Sequence, residues 1–350
     1  LAQTGRKPKD FNAVDRLCYT GKRGMGALEF EPSAGPDKSD DKLLAIEDLT
    51  ALASMAFASK ETLDTKFSEA AEQTSNTKDG LLDILRVGTS AGGARAKAVI
   101  AFNPQTKQVR SGQLNLPTGF EHWLIKFDGV KFSGDWGVAD PSGYGLLEYS
   151  YYLMAKECGI DMMESRILSE NGRNHFMTRR FDRDADGGKK FVQTFAALTH
   201  YDYYESGYHS YEQLFMAMKR LGIPKRAFEE QFRRVVFNIV SCNQDDHVKN
   251  FAFMMDRRGN WDLSPAYDLC HGEGSEFTRN HQLSINGKTN NFDRQDLKQL
   301  AQYAGLPRGS EKHIIQRTVE AFAQWKTVAV DLGIPANLQE HVLRTLRLQI

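Results

Sequence analysis

The sequence predicts an α+β fold of two lobes, a strand-rich lobe followed by a helical one. Its 350 residues suffice for about two domains at roughly 150 residues each. Short β-rich runs bounded by turn residues fill the middle of the chain, and apolar residues at helical spacing dominate after residue 209. The predicted boundaries are 1–79 for an N-terminal segment, 80–198 for the strand-rich lobe and 199–350 for the helical lobe.

The composition excludes several function classes. The 45 basic residues balance the 45 acidic ones, so no broad electrostatic binding of nucleic acid is expected. No apolar run approaches the roughly 18 residues of a membrane helix. The N-terminal residues lack the apolar segment of a signal peptide. Because the four cysteines follow no metal-binding spacing, we expect reduced thiols in a cytoplasmic protein.

Hydrophobic patterns predict the elements in order. A loop with a short strand at 27–30 precedes helices over 43–71. Strands are predicted at Lys97–Phe102, His122–Phe127, Asn174–Arg179 and Lys190–Phe195, with a helix over 146–158 that Gly159 ends. The second lobe is predicted to contain helices at 211–221 and 228–240, strands at 250–255 and 261–263, and two closing helices. A cleft is expected where the lobes join, near residues 193–200.

The densest polar segment, Asn243–Asn250, follows a helix that is predicted to be buried. A strand, a turn and a second strand then lead to Asp268, so we expect Asp245, Asn250 and Asp268 to converge. Two carboxylates and an amide oxygen are ligands suited to Mg²⁺. Asp245 and Asn250 also have the D-x-x-x-x-N spacing of a kinase catalytic loop. The alternative, residues that merely cap turns, explains so dense a cluster less well.

A Gly-rich segment at 87–97 precedes the first predicted strand. Its small residues suit close approach of backbone N–H groups to phosphate, although an ordinary hairpin turn is the better interpretation of this segment alone. Lys126 lies in an apolar strand and needs a partner, either a nucleotide phosphate with Glu148 or solvent at the strand edge. His247 has no second histidine at ligand spacing and is expected to be structural. The charged segment Arg179–Arg183 fits phosphate binding and an exposed strand end equally well.

Five motifs together resemble the HipA family of serine/threonine kinases, the toxins of bacterial toxin–antitoxin modules. They are Ser90–Lys97, Arg180–Arg183, Asn243–Asn250, Ser264–Asp268 and Leu283–Lys288. The resemblance extends from about residue 12 to 345. It implies a two-lobed protein-kinase-like fold with Mg²⁺ and ATP bound between the lobes.

By this resemblance Asp245 is the catalytic aspartate, Asn250 and Asp268 bind Mg²⁺, and Lys126 contacts phosphate. The loop expected to cover ATP comprises Gly88, Thr89, Ser90, Ala91, Gly92 and Gly93. Ser90 is the residue expected to be autophosphorylated, with Thr89 as the alternative. The further ATP-binding residues expected are Gln193, Thr194, Phe195, His247 and Lys249.

The resemblance also implies partners. The expected substrate is a cytosolic protein, such as an aminoacyl-tRNA synthetase, and the expected restraint is a helix-turn-helix antitoxin that carries any DNA contact. The small N-terminal subdomain that usually helps family members contact the antitoxin is not recognisable before residue 12. Two alternatives stay open: a small-molecule phosphotransferase on the same fold, and a kinase-like subunit that acts mainly by binding a DNA-binding antitoxin.

Overall fold

The structure is a computed structural model of the 350-residue chain. It describes residues 12–34, 46, 48–50, 95–112, 116–130, 142–184, 186–274 and 277–350. Two compact units divide the chain discontinuously. Unit 1 comprises residues 1–145 and 165–189, and unit 2 comprises 146–164 and 190–350.

Unit 1 contains a five-stranded antiparallel sheet in the order β2-β1-β3-β5-β4. The strands are β1 Lys97–Phe102, β2 Val109–Ser111, β3 Glu121–Lys126, β4 Ser165–Glu170 and β5 Arg173–Arg179. Every residue of β1 is buried, as its run of alanine, valine, isoleucine and phenylalanine predicts. Ile100, Trp123, Ile125 and Met177 form the centre of the core of this unit.

The helix α1, Ala13–Thr20, opens the described chain, and Asn12 and Asp15 cap it reciprocally. The helix α2, Tyr144–Glu157, crosses the boundary between the units. Its first turn is held in unit 1 by the buried carboxylate of Asp128, which accepts from the backbone N–H groups of Gly143 and Gly145. An anion at a helix N-terminus satisfies amide groups that have no partner within the helix.

Unit 2 is mostly helical. Its helices after α2 are α3 Phe195–Thr199, α4 Tyr211–Arg220, α5 Lys225–Val240, α6 Arg294–Ala304, α7 Ser310–Ala323, α8 Trp325–Asp331 and α9 Ala336–Thr345. An antiparallel sheet in the order β6-β8-β9 consists of Phe191–Thr194, Ala252–Met255 and Trp261–Leu263. A parallel pair joins β7, His209–Ser210, to β10, Leu283–Ser284.

The core of unit 2 brings distant helices together. The ring of Tyr151 in α2 contacts Phe237 of α5 and Phe322 of α7 edge-on. The indole N–H of Trp325 donates to Ser150 Oγ at 3.0 Å. The apolar periodicity of α2 and α5 therefore corresponds to buried faces, as the sequence predicts.

The α+β class is confirmed, while several local predictions are wrong. Residues 27–30 are not a strand: the backbone N–H of Phe30 donates to the carbonyl of Gly21 within the same loop. The strands β2 and β4 were not predicted, and Phe195 begins a helix rather than ending a strand. Four helices rather than two close the chain, since the predicted apolar stripe is interrupted at Gln324.

Two further predictions can be compared with the described residues. Among them, no helix is both long and apolar enough to cross a membrane. All four cysteines are free thiols, and burial raises the pKa of Cys158 to about 12 and that of Cys242 to about 11. Most of the helices predicted over 43–71 lie outside the described residues; 46 and 48–50 are helical.

Candidate active site

The polar loop begins where α5 ends. Cys242 adopts a left-handed backbone conformation with a φ of 57°, which turns the chain out of the helix. The backbone N–H of Asn243 then bonds the carbonyl of Asn238 at 2.9 Å. The N–H of Gln244 donates to the carbonyl of Gly272 at 3.1 Å, so two backbone segments fix the start of the loop.

Asp246 anchors the loop from beneath and is fully buried. Its carboxylate accepts from the Tyr211 hydroxyl at 2.6 Å, from His281 Nδ1 at 2.8 Å and from the backbone N–H of Gln282 at 2.7 Å. Asn238 donates in turn to the Tyr211 hydroxyl. Because three donors satisfy the buried charge, Asp246 is a structural residue. No sequence pattern distinguishes it from its neighbour Asp245.

Asn250 closes the loop on itself. Its side-chain Nδ2 donates to the backbone oxygen of Asp245 at 2.7 Å, and its backbone N–H donates to the carbonyl of His247 at 2.9 Å. The amide nitrogen of the side chain is thus committed to the loop, which leaves the amide oxygen as its potential metal ligand. The side chain of Asp245 is 43% exposed, in contrast to that of Asp246.

Asn250 and Asp268 line the same pocket. The residues around it are Arg234, Asn238, Asn243, Asp246, Asn250, Phe251, Ala266, Tyr267, Asp268 and Leu269. Asp268 itself has a φ of 57°, a left-handed conformation that aspartate tolerates better than most residues. The hairpin of β8 and β9 brings its two ends to this point, as the sequence predicts.

His247 and Lys249 occupy the outer part of the loop. Nε2 of His247 lies 3.7 Å from the Asp245 carboxylate. Burial lowers the pKa of His247, and the negative charge of Asp268 opposes that shift. Lys249 Nζ lies 3.3 Å from the centre of the Tyr203 ring, and burial lowers its pKa. Lys249 contributes nothing to the lining of the pocket just described.

The predicted adenine-binding segment lies beside the strand that follows the loop. Gln193 pairs with Phe253 and Thr194 with Ala252 in the β6–β8 ladder. The Thr194 hydroxyl caps α3, and the backbone N–H of Phe195 donates to the carbonyl of Phe251 at 2.7 Å. Phe195 is fully buried, so its side chain is not accessible to a ligand.

The remaining predicted residues belong to unit 1 or lie outside the described residues. Lys126 is buried on β3, where it faces Phe176 on the neighbouring strand, and its Nζ lies 5.9 Å from that ring. The predicted loop at 88–93 lies outside the described residues. In unit 2, Glu148 is buried on α2.

The segment Arg179–Arg183 has a structural role in unit 1. Asp182 accepts from Arg180 at 2.6 Å, from Arg183 at 2.8 Å and from the backbone N–H of Gly26 at 2.7 Å. Arg183 also donates to the carbonyls of Gly24 and Gly26. The cluster of Arg180, Asp182 and Arg183 is buried, so it holds a loop instead of forming an exposed strand end.

Comparison with known proteins relates the chain to one family. Residues 89–326 match the family described as HipA-like C-terminal domain. The chain is 27% identical over 271 residues to a Sinorhizobium fredii protein named "Putative kinase Y4dM", covering 69% of this chain and 61% of the relative. It is 28% identical over 192 residues to a Haemophilus influenzae protein named "Putative kinase", covering 49% and 55%. The matches thus span less than two thirds of either relative.

A solved structure has a similar fold. It is described as the Shewanella oneidensis MR-1 toxin antitoxin system HipA, HipB and its operator DNA complex. The similarity covers 99% of this chain and 79% of the other, with a TM-score of 0.68 and 16% identity. At this identity the likeness establishes the fold alone, which agrees with the kinase-like α+β prediction.

Proposed function

Because the chain belongs to the HipA-like C-terminal domain family, we propose that it is an ATP-dependent protein serine/threonine kinase acting in the cytoplasm. The observation that carries the proposal is the geometry of the loop in unit 2. Asn250 holds the backbone of Asp245 and faces the same pocket as Asp268. A kinase needs these three functions close together: a positioned acceptor for the substrate proton and two metal ligands.

The donor set fits Mg²⁺. Asp268 supplies carboxylate oxygens, and Asn250 keeps an amide oxygen available because its nitrogen bonds Asp245. No sulfur or imidazole donor lines that pocket among the described residues, so a harder, oxygen-preferring ion is favoured. When bound with ATP, Mg²⁺ neutralises charge on the transferred phosphoryl group. Asn250 and Asp268 would hold the ion.

The remaining residues have roles that follow from their chemistry. Asp245 accepts the proton of the attacking hydroxyl and orients it, since its side chain reaches solvent while its backbone is fixed. His247, kept neutral by its lowered pKa, supports Asp245 without adding charge. Lys126 and Lys249 contact phosphates, the first from a buried strand position and the second after leaving Tyr203. The backbone of Gln193, Thr194 and Phe195 receives adenine.

The loop Gly88, Thr89, Ser90, Ala91, Gly92 and Gly93 covers the triphosphate in this proposal, and Ser90 accepts a phosphate in a self-inhibiting reaction. That group would bring about −1.5 to −2 charges to the loop that binds ATP. The substrate is a cytosolic protein, with an aminoacyl-tRNA synthetase as the leading candidate. A helix-turn-helix antitoxin is the proposed restraint, and any contact with DNA is made through it.

The proposal is tested with purified protein, labelled ATP and a cell lysate. We expect Mg²⁺-dependent transfer of the γ-phosphate to a protein at serine or threonine, and to Ser90 of the chain itself. Label found only in small molecules would replace the proposal with a small-molecule phosphotransferase. Absence of any transfer, with antitoxin binding intact, would instead favour a binding subunit.

The metal ligands have their own test. Asp268→Ala should weaken Mg²⁺-dependent ATP binding because one carboxylate is lost. Calorimetric titration of ATP with and without Mg²⁺ measures this change. Asp331→Asn, at an exposed position on α8, is the matched control and should behave as wild type. An unchanged Mg²⁺ dependence in Asp268→Ala would contradict the assignment.

A further inference from the structure

A second group of metal-ligating side chains lies in unit 2, apart from the pocket lined by Asn250 and Asp268. His271 and Glu273 flank Gly272, whose backbone pairs with the start of the polar loop. In an extended segment, residues two apart point to the same side and the residue between them points to the other. A Cβ on Gly272 would lie 3.4 Å from that of Asp245, so that middle position faces the loop.

The helix α9 supplies the third residue. His341 and Thr345 are four apart and share one face of the helix. Nε2 of His341 lies 3.4 Å from Oε2 of Glu273, and the rings of His271 and His341 meet edge-on with centres 5.0 Å apart. Nε2 of His271 lies 2.8 Å from Oγ1 of Thr345, a contact of the kind that orients a metal-binding histidine through one ring nitrogen.

The geometry suits a transition metal. One ligand atom from each of His271, Glu273 and His341 lies within 4.8 Å of the other two. A tetrahedral zinc ion at about 2.0–2.2 Å from its ligands places them about 3.3–3.6 Å apart. The His341–Glu273 pair already has that separation, and a shift of about 1 Å brings in His271. All three residues are partly accessible or border solvent, so an ion has a path of entry.

We propose that His271, Glu273 and His341 bind a divalent zinc-type ion, with water at the fourth position. The set of two imidazoles and one carboxylate differs from the oxygen donors of the kinase pocket, so the two sites select different metals. The ion links the segment after Asp268 to α9. Since Gly272 packs against Asp245, this link braces the backbone behind the polar loop.

The test uses the full chain without an affinity tag, stripped with a chelator, and Zn²⁺ or Co²⁺ as the probe. We expect one ion per chain outside the kinase pocket, a visible absorption band typical of tetrahedral Co²⁺, and a rise in Tm of about 3 °C or more at saturating Zn²⁺. His341→Gln and Glu273→Gln should each weaken Zn²⁺ binding by about 100-fold or more.

Two controls separate this site from its alternatives. His313→Gln removes an exposed histidine of α7 outside the cluster and should retain wild-type affinity. Asp268→Asn should also retain it, because the kinase pocket is distinct. If Zn²⁺ binds His341→Gln and Glu273→Gln as tightly as wild type, or if Asp268→Asn alone abolishes binding, the proposal is overturned. Should either cluster variant fail to fold, the other carries the test.

Discussion

Two polar clusters of similar composition have different roles in this protein. In unit 1, the side chain of Asp182 is 6% exposed and forms ion pairs with two arginines. In unit 2, the loop contains adjacent aspartates, of which Asp246 is fully buried and Asp245 is 43% exposed. A buried carboxylate that accepts its hydrogen bonds from protein groups stabilises the fold. A carboxylate fixed by its backbone, with its side chain in reach of solvent, is suited to chemistry.

The largest effect is expected at the exposed aspartate. Asp245→Asn should reduce phosphoryl transfer by roughly 10²–10⁴-fold, because the amide cannot accept the proton of the attacking hydroxyl. Its free energy of unfolding should change by less than about 0.5 kcal/mol. Transfer from labelled ATP and urea unfolding measure the two quantities, with Asp331→Asn as the control. Full activity in Asp245→Asn would contradict the assigned role.

The buried cluster of unit 1 should respond in the opposite manner. Asp182→Asn leaves Arg180 and Arg183 buried without a compensating charge, at a cost of about 3–5 kcal/mol in unfolding free energy. Glu29→Gln is the control, since it removes an ion pair with Lys189 whose partners are more exposed and should cost less than about 1 kcal/mol. Denaturant unfolding compares them. Equal costs would show that burial does not distinguish the two pairs.

Asp246→Asn sharpens the contrast within the loop itself. The carboxylate of Asp246 accepts from three donors, whereas an amide offers one oxygen and an NH₂ group that is itself a donor. Because donors would then face donors, we expect a loss of about 2–3 kcal/mol in stability. Any loss of activity should follow the loss of folded protein. If Asp246→Asn is as stable as Asp245→Asn, the division of roles between the two aspartates is wrong.

Acid should weaken unit 1 through His122. Burial, aided by the positive charges of Arg180 and Arg183, lowers the pKa of His122 to about 4. The unfolded chain binds this proton near pH 6.5, so stability falls as the pH drops from about 6.5 towards 4, by up to about 3 kcal/mol. His122→Gln should lose less stability over that interval. Parallel curves for wild type and variant would exclude this contribution.

The strongly patterned elements could be predicted from the sequence. β1 is apolar from Ala98 to Phe102, and α5 repeats phenylalanine, valine and isoleucine at helical spacing, so both patterns predict burial. The sequence does not predict β2 and β4, and the reason is physical. β2 has three residues, and β4 exposes polar side chains, so pairing with β1 and β5 defines them rather than their own composition.

The sequence predicts the spacing of the site residues, but not which of the two adjacent aspartates is buried and which is exposed. The hairpin between Asn250 and Asp268 follows from strand and turn signals, so their approach to one pocket was foreseeable. Which of two adjacent aspartates is buried depends on Tyr211 and His281, and no local pattern connects those residues to the loop. His271 and His341 illustrate the same limit, since 70 residues separate the two histidines.

The discontinuous course of unit 2 has a consequence for how the protein is made. Ser150 on α2 bonds Trp325, a residue 175 positions later. At the rate of ribosomal synthesis, Trp325 is made roughly 10–30 s after α2. During that interval the face that carries Tyr151 lacks Phe237 and Phe322 in turn. The nascent chain therefore exposes the apolar face of α2 until Phe322 and Trp325 have been made.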